Sequence, residues 1–177
     1  HRETSVTAFQ FPFAINLHDC ELNDEGKPGE GGKAPDKKPY KTKGEQQKDW
    51  LCYLLKAISE LNGVAGNHAR SYFEMAPASI VIRVTDSLVA GYETYGFKTD
   101  GSFTEVVDGI LHDDYPGNEF YMGGRLVKEV LQSNVGKPSA ESIEKTLQDK
   151  GVNTFRMANQ ALDAVAKTVC GKSFLIK

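Results

Sequence analysis

The chain has 177 residues, of which 40% are hydrophobic and 25% charged, a balance that fits a globular domain with its own core and excludes a fibrous or low-complexity chain. No apolar run approaches the roughly 20 residues of a membrane span, and no apolar stretch near the N-terminus reads as a secretory signal. The net charge of −3 weighs mildly against nucleic acid as a partner of the whole surface.

The first element in chain order is a strand over 5–17, where Phe9, Phe11, Phe13, Ile15 and Leu17 share one face at period two. Pro12 lacks a backbone donor and marks an edge or a bulge. His1 already sits at the threshold of this strand, so the expectation is the C-terminal portion of a longer protein. Residues 22–47 carry Gly26, Gly29, Gly31, Gly32, Gly44, Pro28, Pro35 and Pro39 and almost no large apolar side chain. They read as a projecting, flexible insertion. Six lysines, Lys33, Lys37, Lys38, Lys41, Lys43 and Lys48, fall in one short stretch that overlaps it, while acidic residues such as Asp108, Asp113, Asp114 and Glu119 dominate elsewhere.

A helix follows over about 45–62. Trp50, Leu54, Ala57, Ile58 and Leu61 recur at three- and four-residue steps, Leu51 and Leu55 widen the stripe, and all are expected in the core. Asn62 and Gly63 end it. After a turn-rich connector, SIVIRVTD is the clearest strand. Ile80, Ile82 and Val84 face one way and Val81, Arg83 and Thr85 the other, where the arginine predicts solvent or ligand rather than core. Residues 92–107 read as a hairpin turning at Asp100–Gly101, and 108–124 as irregular and acidic. A short helix over 124–133 uses Leu126, Val127, Val130 and Leu131. Ser139 caps a helix that runs to about Lys150 and stops at Gly151. A last helix over 154–170 places Phe155, Ala158, Leu162, Val165 and Val169 on one stripe, with Gly171 as its stop.

This order gives an α+β fold in a single domain, compatible with the second half of a βαββαβ unit. Cys20, Cys52 and Cys170 are odd in number and widely scattered, which suggests neither a disulfide framework nor a zinc site but reduced thiols in a cytoplasmic protein.

The stretch Gly66-Asn67-His68-Ala69-Arg70-Ser71 lies between the tryptophan-bearing helix and the isoleucine-rich strand. Gly63 and Gly66 allow close backbone approach. Arg70 offers a planar fork for phosphate oxygens and His68 a ring that stacks or donates. On residue chemistry alone it is either a phosphate-binding turn or a loop held by local turn bonds. Gly123-Gly124-Arg125 before a helix is either an anion site or simply a helix start.

The run DWLCYLLKAISELNGVAGNHARSYFEMAPASIVIRVTDSLVAGYETYGF, with the opening FQFPFAINL, resembles the Cas-seven backbone subunits of type I CRISPR complexes, closest to the DevR-type group. The resemblance covers about 1–97 and does not extend over 108–177. It implies a modified RNA-recognition-motif, ferredoxin-like palm with a long inserted loop and C-terminal helices. It also implies a non-catalytic subunit, without metal or cofactor, of a Cascade complex in antiviral defence. Its partners would be the CRISPR guide RNA, the target DNA strand, copies of itself in a filament and other Cascade subunits, with no membrane. On that basis Gly66, Asn67, His68, Arg70 and Ser71 are the RNA-contact residues, and Lys37, Lys38, Lys41 and Lys43 belong to a thumb-like or target-facing projection.

Two other readings stay open. One is a metal-dependent ribonuclease related to type III backbone subunits, which would use a loop aspartate such as Asp24 or Asp36. The other is a protein-interaction or regulatory domain without an RNA role. His18-Asp19 and His112-Asp113-Asp114 could supply acid–base groups, but their spacing matches no known metal motif.

Overall fold

The computed structural model describes residues 9–17, 43–62, 64–65, 72–73, 75–131 and 143–175. Its elements are α1 (Lys43–Ser59), β1 (Val64–Ala65), β2 (Tyr72–Phe73), β3 (Ser79–Arg83), α2 (Thr104–Leu111), a 3-10 turn (Gly117–Glu119), β4 (Phe120–Gly124), a wide-turned π helix (Leu126–Leu131), α3 (Ile143–Asp149), β5 (Asn153–Phe155) and α4 (Ala158–Cys170). The fold is α+β around a small mixed sheet.

The sheet has the order β3-β4-β5. β3 runs antiparallel to β4, with Ile80 opposite Gly123 and Ile82 opposite Tyr121, and β5 runs parallel to β4. Both faces of the sheet are covered. On one, Phe120 and Met122 join Phe103, Val106 and Ile110 of the α2 region, Leu126, Val127 and Leu131 of the π helix, Leu147 of α3 and Val152. On the other, Ile80 and Tyr121 pack with Leu51 and Leu55 of α1 and Ala161, Leu162, Val165 and Ala166 of α4. A strand buried on both faces carries no polar alternation. That is why Phe120-Tyr121-Met122-Gly123-Gly124 is a fully buried central strand, where irregular structure was expected over 108–124.

Two of its glycines are required by close approach. A Cβ on Gly123 would lie 2.9 Å from both the Ala161 Cβ and the Met157 carbonyl, so glycine lets α4 lie directly on β4. Gly124 has φ +87, and a Cβ there would meet the Ala78 carbonyl oxygen at 2.1 Å.

Several expectations hold. Ile80, Ile82 and Val84 share the face toward α1 and α4. The turn at Asp100–Gly101 forms, with Gly101 donating to the Lys98 carbonyl and Ser102 to the Asp100 carboxylate at 2.9 Å each. The last helix stops at Gly171, which has φ +68.

Others are corrected. Residues 9–17 form no strand: Phe9, Phe11 and Phe13 are exposed, and only Ile15 and Leu17 reach the core. The expected hairpin over 92–107 does not form: residues 92–103 carry no strand, and the turn at Asp100 leads into α2. Residues 154–155, expected within the last helix, belong instead to β5 beside β4. The expected insertion over 22–47 gives way to helix at Lys43, while its residues before Lys43, like Cys20, Gly63 and the Ser139 cap, lie outside the described residues.

The expected solvent- or ligand-facing side of β3 is also corrected. Val81 packs into the core, and Arg83 is held inside by a 2.7 Å ion pair to Glu119 and a 2.6 Å bond to the Ala90 carbonyl. Its guanidinium carbon lies 5.5 Å from the Phe120 ring centroid.

Candidate nucleic-acid interface

α1 leads directly toward the segment that carries the sequence motif. Its first residue is Lys43, its last Ser59, and the chain then enters β1. β1 and β2 pair antiparallel, with Val64 opposite Phe73 and Ala65 opposite Tyr72. The ribbon is prolonged at its base by a 2.8 Å bond from the Met75 N–H to the Leu61 carbonyl. Residues 66–71 are therefore the connection between two paired strands, and the ribbon returns the chain to β3 at Ser79. Gly66, Asn67, His68, Arg70 and Ser71 themselves lie outside the described residues, as do Lys37, Lys38 and Lys41. Lys43 is described only as the first backbone turn of α1.

α1 differs from expectation in a way that bears on function. Its buried row is Leu51 and Leu55, with Cys52 and Ile58 packed beside them. Trp50 is 58% exposed, Tyr53 65%, Leu54 46% and Leu61 44%, and Ala57 is exposed as well. The sequence places apolar side chains on more of the helix than one sheet can cover, and the structure chooses the Leu51–Leu55 row. Trp50, Leu54, Ala57 and Leu61, expected in the core, face outward instead, and Tyr53 lies among them.

Beside this row lies a shallow groove of about 320 Å³ lined by Asp49, Cys52, Tyr53, Lys56, Lys172, Ser173 and Phe174. Lys172 pairs with Asp49 across it. Burial pushes the Cys52 thiol up from its ordinary value, so it is a neutral thiol rather than a nucleophilic thiolate.

The far wall of the groove is fixed by Asp163 on α4. Burial alone would raise this carboxyl. The Lys167 ammonium, the Leu175 N–H, the Ser173 hydroxyl and the Phe174 N–H outweigh it and hold the group at about 2. The bonds are 2.7 Å from Lys167, 2.8 Å from Ser173, 2.7 Å from Phe174 and 3.0 Å from Leu175. They pin the tail after Gly171 against α4, with Phe174 partly buried against the cluster that holds Leu51 and Leu55.

Other polar groups singled out in the sequence are spoken for. The Arg125 N–H donates to the Ala78 carbonyl at 2.9 Å and the Leu126 N–H to the Ser79 hydroxyl at 3.0 Å. The Arg125 side chain grips Glu129 at 2.8 Å. Gly123-Gly124-Arg125 is thus a helix start whose donors are used within the fold. The His112 ring bonds the Asp108 carbonyl at 2.8 Å, and Asp113 pairs with Lys150 at 2.5 Å, so this pair does not converge on a common point. Among the described residues no three His, Cys, Asp or Glu side chains are grouped to hold a metal ion. His18, Asp19, Asp24 and Asp36 lie outside them. No helix among the described residues is long and apolar enough to cross a membrane.

Comparison with protein-family models and with curated proteins finds no match to this chain.

Proposed function

We propose that this chain is a non-catalytic, guide-RNA-binding backbone subunit of a type I CRISPR surveillance complex, of the Cas-seven, DevR-type group. In this reading the β3-β4 region and the helices on it belong to a modified RNA-recognition palm, and the β1–β2 ribbon presents residues 66–71 to the RNA.

One observation carries the reading. A helix, the sequence Gly66-Asn67-His68-Ala69-Arg70-Ser71 and the strand Ser79–Arg83 follow one another in the family's order, and the polar run falls between two paired strands. Arg70 would grip phosphate oxygens bidentately, Asn67 and Ser71 would add neutral donors, His68 would donate or stack, and Gly66 would let the backbone approach. Such contacts position a strand without reading its bases, which leaves sequence selection to pairing by the guide. Lys37, Lys38, Lys41 and Lys43 would supply charge toward the target strand. Copies of the chain would line one guide in a cytoplasmic ribonucleoprotein with the other Cascade subunits. The net charge of −3 is compatible with this because six lysines, Lys33 to Lys48, fall in one short stretch at the start of α1 and just before it.

The test is co-purification from cells carrying a CRISPR array. Small RNAs of one length that follow the chain through a column, and disappear with Arg70→Ala, support the proposal. Protein that emerges free of RNA, or with RNA of random length unaffected by Arg70→Ala, contradicts it.

A further inference from the structure

The outer row of α1 is an unusual solvent face. Trp50, Tyr53 and Lys56 succeed one another at three-residue steps, so they form a single ridge along the helix. Trp50 and Tyr53 are more than half exposed, and both Tyr53 and Lys56 turn toward the groove shared with Lys172, Ser173 and Phe174. Each step advances about 4.5 Å along the axis, comparable with the roughly 3.4 Å between successive stacked bases of a strand.

The charges favour an anionic strand over a purely apolar partner. Asp49, the acidic residue lining the groove, is already matched by Lys172, and Lys56 has no ion pair among the described residues. Of the two lysines that line the groove, Lys56 is thus the one without a carboxylate partner among the described residues; it lies beside the exposed Tyr53 ring, with Trp50 three residues further back on the same ridge. Aromatic faces paired with flexible cations are the combination that holds single-stranded nucleic acid without sequence preference. The ridge also points along the helix whose end feeds, through the Leu61–Met75 bond, into the β1–β2 ribbon.

We infer that the outer face of α1 is a base-stacking platform for single-stranded RNA, with Trp50 and Tyr53 as the stacking surfaces and Lys56 as the phosphate contact. This rests on the RNA-binding reading above and extends it: the chain touches bases as well as backbone, through residues other than 66–71.

Trp50 is the one tryptophan in the chain, so its emission reports this surface alone. The purified protein is titrated with a long oligouridylate and, separately, with inorganic polyphosphate, while a fluorescent end label on the RNA reports binding by anisotropy. Quenching of Trp50 by the RNA but not by polyphosphate is expected. Trp50→Ala combined with Tyr53→Ala, which removes two stacking surfaces, should weaken RNA binding by about 30-fold or more, and Trp50→Phe with Tyr53→Phe, which keeps two flat rings, should restore most of it. RNA that binds with Trp50 emission unchanged, or with equal affinity after the double alanine change, overturns the platform while leaving the role of Arg70 standing. Emission that shifts with protein concentration and ignores RNA also overturns it, since a second copy then covers the face. Failure of any RNA to bind removes the underlying reading and this one with it.

Discussion

Replacing Asp163 by asparagine isolates the charge that fastens the tail to α4. The isosteric amide can keep its oxygen toward the Phe174 and Leu175 N–H groups, 2.7 and 3.0 Å away, but it turns a donor toward Lys167 and removes the negative charge. The carboxyl sits at about 2 against an ordinary 3.8, and that difference corresponds to roughly 2.5 kcal/mol of native stability. Because the folded-state value is depressed, the contribution is fully present above the unfolded value near 4 and disappears as the pH falls through about 2. Urea unfolding followed by circular dichroism at pH 7 should therefore show Asp163→Asn destabilised by about 2–3 kcal/mol, or roughly 5–10 °C in melting temperature. The gap from wild type should close as the pH is lowered from about 4 toward 2. A variant as stable as wild type at pH 7, or a gap that does not change with pH, would refute the reasoning.

Arg83→Met leaves Glu119 without its cation and the Ala90 carbonyl without its donor, so thermal melts should show a loss of about 2–4 kcal/mol, part of which Arg83→Met with Glu119→Met recovers. Gly124→Ala, which places a Cβ 2.1 Å from the Ala78 carbonyl, should cost about 3 kcal/mol or more, whereas Gly101→Ala, with φ +81 but open space around it, should cost only about 1 kcal/mol. Trp50→Gln should change stability by less than about 0.5 kcal/mol in chemical unfolding; a loss of about 3 kcal/mol or more would mean that the ring is core after all.

What the sequence reveals follows from how each element is buried. β3 is legible because Ile80, Ile82 and Val84 alternate toward one packed face. α4 is legible because a single row of Leu162, Val165 and their neighbours meets the sheet and Gly171 closes the helix. β4 is not, since burial on both faces removes any polar rhythm and its Gly123-Gly124 pair imitates a loop. β5 is three residues long and hides at the start of the α4 pattern. Arg83 misleads because a cation on a strand face reads as solvent until Glu119, distant in sequence, is known to lie beside it. In α1 the apolar positions form two competing rows, and only the packing of α4 decides that Leu51 and Leu55 turn inward while Trp50 and Leu54 stay out. The polar run from Gly66 to Ser71 stands out in the sequence as a cluster of hydrogen-bonding side chains. Its flanking β1–β2 pair does not, because two-residue strands leave no periodic trace.

The central claim is that Arg70 and its neighbours hold a ribose-phosphate backbone. Its most direct measurement is the affinity of wild type and Arg70→Ala for single-stranded RNA across a salt series. The account predicts a steep linear fall of log affinity with log salt for wild type, and for Arg70→Ala weaker binding to every sequence with a slope shallower by about 0.7, the loss of one phosphate contact. Identical slopes and affinities for the two proteins would contradict it.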